Sequence, residues 1–213
     1  MANIFNEVDE DIRKERYKKL WSSYGKYLIG LIISIILIFS INQYLISKNI
    51  ADNKKLLDTY FTAAEDIEKN QFELADEILN KIYDDKNTTL AAFSALKLSD
   101  SYFKNNNKID AIAVLENIFN NNSLETIYRE LALYKYIMIN FDVLNISEIE
   151  SKISIFNNKE GQFNSYFREL LGIKYITIGD KAKASSIFNE LSSSDNTPFD
   201  LKIRLEKLIQ IAS

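Results

Sequence analysis

Closely spaced acidic pairs are the residues of this chain best suited to do chemistry. Asp84 and Asp85 are adjacent, and Glu148 and Glu150 lie two positions apart. Two carboxyl groups that share a site can act as a general acid and a general base. Neighbouring acidic residues on a protein surface are, however, far more often simply solvated. The pairs alone therefore give little reason to expect an enzyme.

The composition removes most other catalytic chemistries. The chain contains no histidine and no cysteine, so it has no imidazole base, no thiolate nucleophile, no Ser-His-Asp triad and no Cys/His zinc site. Its 5 glycines are too scattered for a GxxxxGK[ST] or GxGxxG phosphate-binding loop. We therefore predict that the protein is not an enzyme, with no catalytic residues, no cofactor, no metal site and no small-molecule substrate.

Helical patterns of ten to twenty residues alternate with short polar breaks along most of the chain, which predicts an all-α fold. The breaks are rich in asparagine, serine and glycine, the residues that favour turns. Pro198 suits the first turn of the last helix, with Thr197 as its N-cap. The predicted helices cover residues 48–69, 72–84, 88–104, 108–120, 123–141, 147–156, 162–178, 181–192 and 198–212.

Small, aromatic and large residues recur at fixed offsets in two helical pairs. Tyr102 is followed nine residues later by Ala111, Tyr175 is followed nine later by Ala184, and a large residue comes four positions after each alanine. Small residues let two antiparallel helices approach closely, and we expect Gly172 to face Ala184. This is the spacing of a tetratricopeptide repeat. The residues assigned to repeat packing are Ala63, Ala75, Ser99, Tyr102, Ala111, Leu115, Ala132, Gly172, Tyr175, Ala184 and Phe188.

Two further units are less regular. In the first, Asp66 takes the place of the tyrosine, and the third, around Ala132, is degenerate in its second helix. Ala75 to Ala111 is 36 residues and Ala111 to Ala184 is 73, which leaves room for one divergent unit between them. We predict a tetratricopeptide-like α-solenoid of about four helical hairpins plus a C-terminal helix. A generic helical bundle is the alternative.

Aromatic residues in the later units are candidates for contact with a partner. Stacked hairpins form a curved surface on which exposed aromatic rings can serve as contact points. The alternative is that most of them belong to the core, which aromatic residues at helical spacing commonly do. The candidate partner contacts are Tyr128, Tyr134, Tyr136, Phe163 and Tyr166.

Residues 27–46 form the most apolar stretch of the chain. They contain no Asp, Glu, Lys or Arg, and 20 residues at about 1.5 Å each give roughly the thickness of a bilayer core. Six Lys and Arg residues precede the stretch and three follow it closely, so the positive-inside rule places the N-terminus in the cytoplasm. We predict a cytoplasmic segment at 1–26, a transmembrane helix at 27–46 and a repeat domain at 47–213 across the membrane.

The predicted repeat domain is acidic. Of the 26 basic and 30 acidic residues of the chain, 6 and 5 precede Tyr27, which leaves 20 basic and 25 acidic residues. Nucleic acids and anionic lipids attract concentrated Lys and Arg instead. We therefore expect protein partners and no nucleic acid.

The order of segments along the chain also carries a resemblance. The chain opens with IFNEVDEDIRKERYKKLWSSYGKYLIG, continues with the apolar stretch and divergent repeats, and closes with GDKAKASSIFNEL, SDNTP and a last helix. In this order it resembles the YfgM-like ancillary SecYEG translocon subunits. The resemblance implies a single-pass protein of the bacterial inner membrane whose periplasmic repeat domain associates with the SecYEG translocon and with periplasmic chaperones that handle exported proteins.

A second function class fits the same sequence. A repeat scaffold for cell-envelope assembly or cell division also needs only a membrane anchor and a protein-binding surface. The residues themselves leave these two functions open.

Overall fold

The computed structural model describes residues 39–84, 88–156 and 161–212, and every element in those ranges is a helix. From α2 onward, each predicted boundary lies within three residues of the observed one. The helices are α1 (39–68), α2 (Phe72–Tyr83), α3 (Thr88–Lys104), α4 (Lys108–Asn120), α5 (Thr126–Ile139), α6 (Ile146–Ile153), α7 (Asn164–Thr177), α8 (Lys181–Ser193) and α9 (Phe199–Ala212).

The chain divides into two units, Met1–Leu56 and Leu57–Ser213. In the first unit, residues 39–55 are helical, and no other part of the described protein covers their side chains. Among the described residues, no helix has both the length and the apolar composition that crossing a membrane requires. The predicted cytoplasmic segment at 1–26, and residues 27–38 of the predicted transmembrane helix, lie outside the described residues.

In the second unit, helices pack mainly on their neighbours in sequence, as in a solenoid of stacked hairpins. The apolar core lies in three clusters of buried side chains. The first joins α1, α2 and α3, the second extends from α3 to α7, and the third joins α8 and α9. Each hairpin therefore shares its core with the next one along the chain.

The same turn joins α1 to α2, α3 to α4 and α7 to α8. One residue in each turn has a left-handed backbone: Asn70 and Asn106 at φ 59° and Gly179 at φ 86°. Glycine and asparagine adopt this conformation most readily. The next residue donates its N–H to the carbonyl oxygen five positions back, at 2.8 to 2.9 Å, which is the Schellman ending of a helix. Three of the hairpins are therefore copies of one local structure.

The hairpin of α5 and α6 has a different connection. Residues 140–145 join the two helices without a left-handed residue. Asn145 and Glu148 form a capping box: the Asn145 side chain accepts from the Glu148 N–H at 2.9 Å, and the Glu148 carboxylate accepts from the Asn145 N–H at 2.8 Å. Helix α6 has only 8 residues. This is the hairpin that the sequence predicts to be degenerate in its second helix.

The start of the last helix differs from the prediction. Helix α9 begins at Phe199, and the Pro198 carbonyl accepts its first backbone hydrogen bond, from the Lys202 N–H at 3.0 Å. The Thr197 hydroxyl is buried and makes no hydrogen bond within the described residues. Thr197 is therefore not the N-cap, because the helix starts one residue too late for its side chain to reach a free N–H.

Candidate functional site

The residues assigned to repeat packing lie inside the hairpins. Two of them, Tyr102 and Tyr175, are half-buried against the core clusters. The fully buried members are Ala63, Ala75, Ser99, Ala111, Leu115, Ala132, Gly172, Ala184 and Phe188.

Gly172 faces the ring of Phe188, and its predicted approach to Ala184 stays a prediction. A Cβ atom built on Gly172 would meet the Phe188 ring, with Cζ at 2.7 Å. The ring lies one helical turn beyond Ala184 and fills the space that the missing side chain leaves. Glycine at this position therefore allows α7 and α8 to enclose a large aromatic ring between them.

Polar side chains link the first helices of successive hairpins at close to one repeat period. Lys104 contacts Glu68 at 2.7 Å, Lys135 contacts Asp100 at 2.5 Å, and Arg204 contacts Glu169 at 2.9 Å. The two residues of each pair are 35 or 36 positions apart. These links join α1 to α3, α3 to α5 and α7 to α9. Sequence reasoning missed them, although opposite charges one repeat period apart are a signal that can be searched for.

The link between α7 and α9 is the most buried of these pairs. Glu169 is 4% exposed and accepts two hydrogen bonds from Arg204, from Nε and Nη2, each at 2.9 Å. The hydrogen bond with Glu169 raises the pKa of the Arg204 guanidinium above its ordinary value. Two parallel hydrogen bonds fix the relative orientation of the two groups. Glu169 thereby sets the position of α9 on α7.

Helices α5 and α7 are linked by a carboxylate and backbone N–H groups. Glu130 is buried, and its Oε2 accepts from the N–H of Phe163 at 3.4 Å. Burial raises the pKa of the Glu130 carboxyl, and backbone hydrogen bonds from Phe163 and Gln162 partly oppose that rise. This link places the start of α7 against the middle of α5.

Four aromatic rings meet where α5 and α7 come together. Tyr134 lies 5.8 Å from Phe163 and 6.1 Å from Tyr166, and Phe163 lies 5.6 Å from Tyr166, as measured between ring centroids. Phe167 is buried beneath the other three, which are half-exposed. We call these four residues the aromatic cluster. Burial raises the pKa values of both tyrosines, so their hydroxyl groups stay neutral and able to donate.

A groove of about 1230 Å³ opens beside the aromatic cluster. It is lined by Phe163 and Tyr166 from the cluster and by Arg168, which pairs with Glu190 at 2.5 Å. Apolar rings and polar groups that converge on one concave surface are typical of sites that hold protein segments. The groove and the cluster together are the candidate functional site.

The sequence model of a tetratricopeptide repeat-like domain matches residues 18–208. This chain belongs to the tetratricopeptide repeat-like domain family. Neither the comparison with curated proteins nor the one with solved structures gave a match. Repeat domains of this kind serve as protein–protein interaction modules and are typically not enzymes.

The tetratricopeptide repeat-like domain does not place the five candidate contact residues on one face. Tyr134, Phe163 and Tyr166 meet in the aromatic cluster. Tyr128 lies apart, with its ring 5.2 Å from that of the exposed Phe93. Its role as a partner contact stays a prediction.

Tyr136 belongs to the core. It is 8% exposed, stands edge-on to Phe119 at 5.4 Å, and is covered by the ammonium group of Lys152 at 4.4 Å. The prediction that Tyr136 contacts a partner is therefore wrong, because α4 and α6 enclose its ring.

Three of the four residues in the acidic pairs, Asp84, Glu148 and Glu150, are among the described residues. Asp85 lies outside the described residues, and Glu148 is engaged in the capping box of α6. No group of three or more acidic side chains able to hold a metal ion is found among the described residues.

Proposed function

We propose that this protein is a membrane-anchored interaction module that serves as an ancillary subunit of the SecYEG translocon and links exported proteins to periplasmic chaperones. The observation that carries the interaction role is the half-exposed aromatic cluster beside its groove. Aromatic residues are enriched where proteins bind one another, since each ring supplies a large contact area at a low cost in conformational entropy.

The apolar sequence of residues 27–46 supports the membrane part of the proposal, because its length and composition suit a single span. Attachment to a membrane raises the concentration of the repeat domain near any membrane-bound partner. Each individual contact can then be weak and still be made. A module that receives many different exported chains benefits from such weak, repeated contacts.

Co-purification tests this proposal. The full-length protein is extracted from its own membranes in mild detergent after gentle crosslinking, and its companions are compared with those of a chain that ends at Leu56. We expect SecYEG subunits and periplasmic chaperones to be enriched only when the repeat domain is present. Enrichment of envelope-assembly or cell-division proteins in their place would contradict the translocon role.

A pair of double variants tests the site. Replacing Phe163 and Tyr166 with alanine removes the two rings that line the groove, and we expect it to reduce the co-purified partners severalfold. The matched control replaces Tyr60 and Phe61 of α1, an aromatic pair that lies outside the groove and includes no candidate partner contact. Circular dichroism checks that both variants keep their helices. Equal losses from the two double variants would show that the groove is not the binding site.

A further inference from the structure

A second concave site lies at the α5–α6 connection. This pocket of about 540 Å³ is lined by the connection itself and by α7. Its rim is apolar: Val143 is 77% exposed, Ile178 is also exposed, and Ile146 lines the wall. Large aliphatic side chains on a pocket rim are available to a partner. Asp142 and Lys174 are its two charged residues.

Lys174 is an unusual residue to find in this pocket. It is 8% exposed, and its ammonium group donates one hydrogen bond, to the carbonyl oxygen of Phe141 at 2.7 Å. The same ammonium lies 5.1 Å from the centre of the Phe141 ring. The ion pairs formed among the described residues do not include Lys174. It is a buried cation that has no carboxylate partner in the part of the chain that the structure describes.

Burial of an ammonium group is costly unless its charge is compensated. An ammonium has three N–H donors, and Phe141 accepts from one of them. The buried Glu169 differs in this respect, because Arg204 supplies it with two hydrogen bonds and an opposite charge. A carboxylate brought to Lys174 would add a charge-assisted hydrogen bond in a partly dehydrated place, where such bonds are strong.

We propose that this pocket binds an acidic side chain flanked by aliphatic residues on a partner protein. The carboxylate pairs with Lys174, and the aliphatic neighbours rest on Val143 and Ile178. Charge complementarity selects the acid, and the exposed apolar rim selects its neighbours. This inference rests on the interaction role proposed above, but it requires neither the translocon nor the aromatic cluster.

Peptide binding to the full-length protein in detergent tests this proposal. The probe is an acetylated, amidated pentapeptide with aspartate between two leucines, and the reference peptide has asparagine in place of the aspartate. We expect the aspartate peptide to bind about tenfold more tightly, as one charged hydrogen bond contributes in a shielded site. This preference should shrink as salt concentration rises. Equal binding of the two peptides would overturn the proposal.

Three variants locate the site. Lys174→Met keeps the aliphatic stem but removes the charge, so the preference for aspartate should disappear, whereas Lys207→Met on α9 should leave it unchanged. Asp142→Asn removes a negative charge at the rim and should tighten binding of the aspartate peptide about twofold. If the Lys174→Met variant still prefers the aspartate peptide to the same degree, Lys174 does not bind the carboxylate and the proposal is refuted.

Val143→Ser keeps the test decisive if the Lys174 variant fails to fold. This rim residue is so exposed that its loss should spare the fold and weaken both peptides alike. An unchanged affinity would show that the peptides bind elsewhere. The two proposals can fail separately. If co-purification fails but the aspartate peptide still binds more tightly than the asparagine peptide, only the translocon role is refuted. If co-purification succeeds and the two peptides bind equally, only the pocket proposal is refuted.

Discussion

Loss of the Arg204 side-chain charge should destabilise the repeat domain more than loss of any exposed lysine. In Arg204→Met, the Glu169 carboxylate keeps its buried position without a counter-charge. Breaking a fully buried ion pair in this way costs about 3 to 5 kcal/mol. The Arg204 side chain is 46% exposed, so water can reach the vacated position and we reduce the expected cost to about 2 to 3 kcal/mol.

Thermal unfolding followed by circular dichroism measures the effect. For a domain of this size, a loss of about 2 to 3 kcal/mol lowers the melting temperature by roughly 5 to 10 °C. The matched control is Lys104→Met, which breaks the equivalent link between α1 and α3. Both partners of that pair are exposed, and exposed ion pairs contribute little, so its melting temperature should barely move.

A second substitution separates the buried charge from the loss of contacts. Adding Glu169→Gln to Arg204→Met removes the uncompensated charge and should recover part of the lost stability. We expect the stability loss to depend on how deeply the ion pair is buried. Equal melting temperatures for Arg204→Met and Lys104→Met would refute this, because both variants break an ion pair but only one leaves a buried charge.

Three further measurements concern the turns, the packing and the buried acid. Gly179→Ala places a side chain at φ 86° and should lower the free energy of unfolding in urea by about 1 kcal/mol. Gly179→Asn should lower it by less, because asparagine takes the same place in two other turns; equal losses from the two variants would contradict this. Gly172→Ser should cost about 1 to 3 kcal/mol of stability, because the added side chain clashes with the Phe188 ring. Adding Phe188→Leu should recover part of this loss, because a serine and a leucine hold the equivalent positions in the α3–α4 hairpin; no recovery would show that the ring is not the obstacle. Burial raises the pKa of the Glu130 carboxyl above its ordinary value of 4.5, so the native state binds this proton more tightly than the unfolded state does. The stability of the wild type relative to Glu130→Gln should therefore fall as pH rises from about 4.5 through the raised pKa, and a stability difference that is independent of pH would refute this.

The helices could be predicted from the sequence because their ends are set locally. The predicted ranges 88–104 and 108–120 agree with α3 and α4 to the residue. The break between them contains three asparagines, and one of them, Asn106, takes the left-handed conformation that ends the first helix. A turn of this kind depends on a few neighbouring residues and leaves a clear trace in the sequence.

The burial of single aromatic residues could not be predicted in the same way. Tyr134 and Tyr136 stand two positions apart on α5, so they point to different sides of the helix. The packing of α4 and α6 covers Tyr136, whereas Tyr134 stays half-exposed beside α7. Helix α6 is short and follows an irregular connection, and the sequence gives little indication of where it lies.

Buried charges were missed for a related reason. Glu169 and Lys174 look like surface residues because their types are seldom buried. Their partners, Arg204 and the Phe141 carbonyl, lie 35 and 33 positions away on other elements. A search of the sequence within one or two helical turns cannot find such a pair, whereas a search at the spacing of one repeat can.

The spacing of these links also determines how the domain would respond to force. Hydrogen bonds between the first helices of successive hairpins join residues 33 to 36 positions apart within the described part of the chain. Within the described residues, each hairpin is therefore held mainly by its immediate neighbours. Pulled from its two ends, the domain should extend in steps, with each released hairpin adding about 35 residues, or roughly 120 Å, of extended chain. A tether that yields in this stepwise way absorbs work over a long distance before its last hairpin opens.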